Sequence, residues 1–182
     1  TSPLYPERSP FLSPADPKLV CIPWGVDVER FQPREPPPPP LTVGFLCLLD
    51  AHHRYKGLEV LLRALRDAPV RLRVGGSGED LDRYRRQARE LGVADRVEFP
   101  GFIPEPELNA FFSSCHVFAL PSTDTREGFG LVLLEAMGCG RPVLATPNVG
   151  IAAEIESQGV GVVVPPNDPA ALAAALLRIS PE

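Results

Sequence analysis

Two glutamates eight positions apart, Glu127 and Glu135, flank a glycine turn, Gly128-Phe129-Gly130, that runs into an apolar stretch beginning at Leu131. Glycines let a backbone approach a ligand closely, and the N–H groups at a helix start point toward anions. The run therefore has the physical form of an anion site, with carboxylates on either side to accept from neutral hydroxyls. Glu135 stands among Leu131, Val132, Leu133, Leu134, Ala136 and Met137, where an ionised group is costly unless it is paired or bound. A ligand, an arginine, or emergence at the helix surface would each satisfy it. A second segment, Asp50-Ala51-His52-His53-Arg54-Tyr55-Lys56-Gly57, delivers cations next to another helix start. Its Lys56 is one of two lysines, with Lys18, in a chain that otherwise uses arginine.

These segments follow short apolar runs, which points to the elements that must position them. From Leu41 onward, apolar runs alternate with helical periodicity, the pattern of a parallel sheet covered by crossover helices. Six strands are predicted: Thr42–Cys47, Val70–Val74, Arg96–Phe99, Val117–Leu120, Pro142–Ala145 and Gly161–Val164. Between them Leu58, Leu61, Leu62 and Leu65 form one buried stripe. Leu108, Phe111, Phe112 and Cys115 form another, and Leu172, Ala175, Leu176 and Ile179 a third. Asp168 before Pro169 is an N-cap followed by proline in the first turn. The fold class expected is α/β, a Rossmann-like three-layer α/β/α domain with a parallel sheet of about six strands. In such a sheet ligands bind outside the carboxyl ends of the strands. The segments after the strands, including Gly75-Gly76-Ser77-Gly78-Glu79 and Pro100-Gly101-Phe102, are thus the places to look.

Residues 1–40 read differently, because prolines interrupt every window in which a helix could form. One short strand is predicted there, Leu19–Ile22. The stretch ends in five prolines, Pro36 to Pro40, a stiff spacer or an exposed loop. A boundary is expected there, with residues 41–182 as the Rossmann-like domain.

The 182 residues, 44% hydrophobic, suffice for one domain with a real core. A net charge of −5 offers no basic stripe for a phosphate backbone, so no nucleic-acid partner is expected. No apolar run is long enough to span a bilayer and no leader pattern opens the chain, so a soluble, cytoplasmic protein is expected. Cys21, Cys47, Cys115 and Cys139 form no C-x-x-C pair and should be reduced and mostly buried. The chain begins at Thr1 and contains one methionine, Met137, as an excised piece or a chain without its initiator would.

The run EGFGLVLLEAMGCGRPVLAT resembles the donor-binding motif of retaining glycosyltransferases of the GT-B fold, specifically family four, the "group 1" enzymes. IPWGVDVERF is similar to the segment that opens the C-terminal domain of that family, and Tyr55-Lys56-Gly57 to its lysine-glycine loop. VGGSGE, RVEFPGFI and VVVPPNDPAALAAAL match in order, so the resemblance spans about Val20 to Leu177. It implies a hexosyltransferase that moves a sugar from a UDP- or GDP-sugar to a glycan or lipid-linked acceptor, in polysaccharide biosynthesis. Glu127 would hold hydroxyls of the donor sugar, and Glu135 the ribose. Lys56 and the backbone of Gly128, Phe129, Gly130 and Leu131 would hold the diphosphate. Gly101, Phe102 and Ile103 would meet the nucleobase. Neither a covalent nucleophile nor a metal or other cofactor is implied.

The resemblance further implies that residues 1 to 22 are the tail of an N-terminal domain that binds the acceptor, so transfer by this chain alone is not expected. It leaves room for peripheral membrane association of the full-length enzyme. Where many relatives carry glycine-arginine after the first strand, this chain has Cys47-Leu48, and His52, His53 or Arg54 could compensate for the lost phosphate ligand. Trp24 and Gly150-Ile151-Ala152-Ala153 also depart from the pattern. Replacing Lys56 by alanine is expected to weaken nucleotide binding while leaving thermal stability nearly unchanged.

Two other functions are open to parts of this sequence. Gly76-Ser77-Gly78 with Glu98 twenty positions on resembles part of a dinucleotide fingerprint, as in an NAD-dependent dehydrogenase domain, but Leu81 occupies the third glycine's place. The pentaproline beside Arg34-Glu35 would suit a non-catalytic interaction module that recruits an SH3-like partner. Asp80-Leu81-Asp82 is expected in a helical first turn, where acids serve the dipole rather than a metal.

Overall fold

The structure, a computed structural model, describes residues 11–13 and 15–179. Six strands form one wholly parallel sheet: β1 (Thr42–Leu46), β2 (Arg71–Gly75), β3 (Val97–Gly101), β4 (Val117–Leu120), β5 (Val143–Ala145) and β6 (Gly161–Val163). Their order across the sheet is β3-β2-β1-β4-β5-β6. The helices are α1 (Leu58–Ala64), α2 (Leu81–Glu90), α3 (Leu108–Ser113), α4 (Leu131–Gly138), α5 (Ala152–Gln158) and α6 (Pro169–Ile179).

Successive side chains of a strand point to opposite faces, and β4 divides its residues accordingly. Val117 and Ala119 enter one hydrophobic cluster, which the stripes of α1, α2 and α6 complete. Phe118 and Leu120 enter the other, with Phe111 and Phe112 of α3, Leu133 and Ala136 of α4 and Ile155 of α5. This is the three-layer α/β/α arrangement expected from the alternating pattern. Asp168 caps α6 as the sequence suggests, its carboxylate accepting from the Ala171 N–H at 2.9 Å.

Strand ends differ from expectation by a residue or two, and β3 shows why. It runs through Pro100 to Gly101, whereas proline ordinarily ends a strand. As an edge strand, β3 has one side without a ladder, so a missing N–H is tolerated there. Leu19–Ile22 is not a strand. No sheet edge pairs with it, and Val20 and Ile22 are exposed, at 75% and 72%. A short extended segment that joins no sheet is not held as a strand.

The segment before β1 is docked on the domain. Phe31 is buried edge-to-face against Phe112. The buried Arg141 guanidinium donates to backbone carbonyls of Cys139, Cys115 and Arg34. Among the described residues no helix is long and apolar enough to cross a membrane. No disulfide joins the four cysteines; Cys115 and Cys139 are buried, Cys47 is partly buried and Cys21 is exposed.

Candidate functional site

β1 and β4 are neighbours in the sheet although β2 and β3 come between them in sequence, because β2 and β3 both lie on the other side of β1. The helix after β1 packs into one cluster and the helix after β4 into the other. The chain therefore leaves the sheet in opposite directions at this switch point, and a crevice opens between the two loops.

The loop after β1 is a 3-10 turn, Ala51–Lys56, capped by Asp50. The Asp50 carboxylate accepts from the His53 N–H at 3.0 Å and faces its ring Nδ1 at 2.8 Å. That side-chain hydrogen bond holds the Asp50 carboxyl below its usual range. The turn ends at Gly57, with φ 85°, where a Cβ would lie 2.0 Å from the Pro121 carbonyl oxygen. Only glycine lets the two loops approach so closely. Thr123 fastens them, its N–H and hydroxyl both donating to the Tyr55 carbonyl at 2.7 and 3.1 Å.

The fastening brings Lys56 and Glu127 together, with Nζ 2.6 Å from Oε2. The side chains are 17% and 9% exposed. Burial acts to lower the Lys56 pKa, but the charge of Glu127 and its hydrogen bond outweigh it, so the pKa is raised and the ammonium persists. The neighbouring Cys47 thiol is pushed up by burial to about 12, which leaves it protonated and a poor nucleophile.

Of the cations offered as substitutes for the missing phosphate arginine, Arg54 is already committed. It grips Asp80 with two hydrogen bonds, at 2.6 and 2.7 Å, and this holds the Asp80 carboxyl below its usual range. His53 is held by Asp50. His52 is exposed. Arg126 pairs with Asp124 at 2.7 Å and lies 4.6 Å above the Tyr55 ring. Spacing alone signalled none of these pairs.

Beyond Glu127 the chain turns through Gly128, buries Phe129 and enters α4 at Gly130. Gly130 has φ 93°, and the helix starts without a side-chain cap. A Cβ on Gly128 would meet nothing within 4 Å. The turn is thus open on the side where a ligand's oxygens could reach backbone N–H groups. Leu131 is partly exposed at the first position of the helix. One turn later Glu135 is half-buried, and among the described residues its carboxylate makes no hydrogen bond or ion pair. Burial raises its pKa, opposed by the charge of Arg30, which itself pairs with Glu105 at 2.5 Å.

Gly101 ends β3 at φ 88°, and its carbonyl accepts from the Gly76 N–H at 2.7 Å. Phe102 is 69% exposed, while Ile103 packs on the second cluster. This segment stands at the same end of the sheet as the crevice. Three strand spacings, about 14 Å, separate β3 from β4. Lys56, Glu127 and Gly128 to Leu131 converge at the crevice; Glu135 lies on the flank of α4, within electrostatic range of Glu105 in the loop that follows Ile103.

The glycine pair of the dinucleotide reading is filled by the protein's own backbone. A Cβ on Gly76 would lie 1.8 Å from the Cys47 oxygen, and one on Gly78 2.2 Å from the Leu49 oxygen. Leu49 N–H also donates to the Ser77 carbonyl, and Asp80 N–H to that of Leu49. These glycines are thus required by the chain's own close approach to the loop after β1, with no ligand needed to explain them. Asp82 pairs with Arg85 at 3.2 Å, and among the described residues no three His, Cys, Asp or Glu side chains are grouped to hold a metal.

The family model described as "Glycosyl transferases group 1" matches residues 31–180. A D-inositol 3-phosphate glycosyltransferase of Corynebacterium jeikeium is 35% identical over 185 residues, covering 88% of this chain and 43% of that protein. The sucrose-phosphate synthase of Thermosynechococcus elongatus superposes with a TM-score of 0.75 at 32% identity, over 85% of this chain and 41% of that one. HepE of Anabaena, solved in complex with UDP-glucose, superposes with a TM-score of 0.72 at 25% identity, over 85% and 45%. The chain spans about two fifths of the length of the curated relatives it matches.

Proposed function

Since the chain belongs to the group 1 glycosyl transferases, we propose that it is the donor-binding half of a retaining hexosyltransferase acting on a UDP- or GDP-sugar. The observation that carries this reading is the buried Lys56–Glu127 pair at the switch point, beside an uncapped helix start. In this reading Lys56 and the N–H groups at Gly130 and Leu131 hold the diphosphate, and Glu127 accepts from hydroxyls of the transferred sugar. Glu135 accepts from the ribose, and Gly101, Phe102 and Ile103 meet the base.

The chemistry asked of these groups is electrostatic. When the bond from anomeric carbon to phosphate oxygen breaks, negative charge grows on the departing diphosphate. An ammonium and helix-start N–H groups already aimed at that position stabilise it without reorganisation. Departing diphosphate and incoming acceptor then share one face of the sugar, which retains configuration without a protein nucleophile. The acceptor, a glycan or lipid-linked glycan, is bound by a separate domain, so transfer requires the longer protein. Cell-surface polysaccharide assembly at the cytoplasmic side of a membrane is the setting that suits such an acceptor.

Isothermal titration with UDP, GDP, ADP and NAD, each with and without EDTA, tests the reading. Metal-independent binding of UDP or GDP is expected. Binding that vanishes with EDTA, or binding of NAD alone, overturns it.

A further inference from the structure

Lys56 reaches the crevice already neutralised. Its ammonium is 2.6 Å from the Glu127 carboxylate, and both side chains are largely buried. The neighbouring cations do not add to it: Arg54 is held by Asp80, His53 by Asp50 and Arg126 by Asp124. A diphosphate entering the crevice must therefore draw Lys56 away from Glu127, or bind to the helix start alone. The outcome depends on what replaces Lys56 at the carboxylate.

A sugar nucleotide brings neutral hydroxyls, which can donate to Glu127 as Lys56 turns to the phosphates. A bare nucleoside diphosphate brings none. Its terminal phosphate is not esterified and carries one more negative charge near neutral pH, beside a buried carboxylate that has just lost its partner. A buried charge left unpaired is strongly unfavourable. We infer that Glu127, through its hold on Lys56, selects sugar nucleotide against bare nucleoside diphosphate and so promotes release of the spent product. The inference rests on the donor-site reading above.

The test uses the 182-residue chain with UDP against UDP-glucose, and GDP against GDP-mannose, measured by isothermal titration for wild type and Glu127→Gln. The amide keeps the shape but gives up the charge and its claim on Lys56. Glu127→Gln is expected to tighten the bare diphosphate and weaken the sugar conjugate, shrinking the preference by about tenfold, or 1.4 kcal/mol. In a Lys56→Met background the tightening should shrink, because the carboxylate then has no lysine to withhold. Weakening of both ligands alike, or an unchanged preference, overturns the inference while leaving the donor site standing. Failure of the wild type to bind any of the four ligands overturns the donor-site reading and this inference with it.

Should Glu127→Gln fail to fold, the wild type alone decides. Titrated in buffers of different ionisation enthalpy, the bare diphosphate is expected to take up protons on binding, because protonation relieves the repulsion. Its sugar conjugate should take up few. Equal uptake by the two overturns the selector.

Discussion

Two glycine turns at the carboxyl end of the same sheet do opposite things. At Gly76 and Gly78 the space a Cβ would need is taken by the carbonyls of Cys47 and Leu49, at 1.8 and 2.2 Å, and both glycines have positive φ, 121° and 156°. At Gly128 φ is not positive and nothing lies within 4 Å. The first turn lets the backbone close on itself; the second leaves backbone facing open space beside the start of α4. A glycine-rich sequence after a strand therefore does not identify a ligand site. What distinguishes the two is whether another part of the chain has already filled the gap.

The sharpest break in that comparison is Gly76→Ala. The methyl would meet a carbonyl oxygen, which cannot move aside as a side chain can, and the backbone conformation there is strained for any L-residue. A loss of about 4 kcal/mol or more is expected, read by urea unfolding, and the protein can fail to fold. A near-neutral effect would show that the β1 loop yields easily and that the closure is loose.

The second largest effect concerns the pair joining the two sides of the crevice. Lys56→Met leaves the Glu127 carboxylate buried without its partner, a loss of about 3 kcal/mol in stability. This replaces the expectation from sequence, that removing Lys56 leaves stability nearly unchanged, which treated the lysine as a solvated cation awaiting a ligand. Lys56→Met with Glu127→Leu should regain most of the loss, since apolar replacement of a buried pair is often neutral. Thermal unfolding of both variants decides between pairing and independent roles.

How far each side could be read from sequence follows from what positions it. Strands buried on both faces are near-continuous apolar runs, so Phe45, Val74, Phe118 and Leu144 announced their strands. The stripe of Leu58, Leu61, Leu62 and Leu65 likewise announced α1. Candidate residues at the crevice were legible because glycine turns and charges interrupt those runs. Their partners were not. Lys56 and Glu127 are 71 positions apart, Arg54 and Asp80 26 apart, and each pair exists only because the strand order sets β1 between β2 and β4. Apolar periodicity carries no information on strand order. Leu19–Ile22 misled for the converse reason: it has strand composition with no edge to join.

A smaller effect, on affinity rather than folding, is expected at Glu135. If its carboxylate accepts from ribose hydroxyls, Glu135→Gln should weaken UDP or GDP by about 1–2 kcal/mol. Burial raises the carboxyl's pKa above its ordinary 4.5, and only the ionised form accepts at both oxygens. Nucleotide affinity should thus begin to fall at a higher pH than an ordinary glutamate would produce, and the glutamine variant should lack that component. For folding of the empty domain the sign is opposite. A raised acid pKa contributes stability that is fully present below the unfolded value and is lost as pH rises through the folded one. An affinity profile with no component that disappears in Glu135→Gln would remove Glu135 from the ribose.

The smallest stability effect and the cleanest separation of the two turns belong to Gly128→Ala. With open space around the new methyl and no positive φ to strain, stability should change by no more than about 0.5 kcal/mol. Loss of glycine freedom in the unfolded chain even favours the variant slightly. If the donor diphosphate approaches the backbone at Gly128, the same methyl would stand in its way, and UDP or GDP should bind several-fold more weakly at an unchanged melting temperature. Affinity falling while stability holds is what an open turn kept for a ligand requires. A destabilised variant would mean that the turn is held by contacts of its own, as at Gly76. Unchanged affinity would move the phosphates away from Gly128, toward the N–H groups of Gly130 and Leu131 alone.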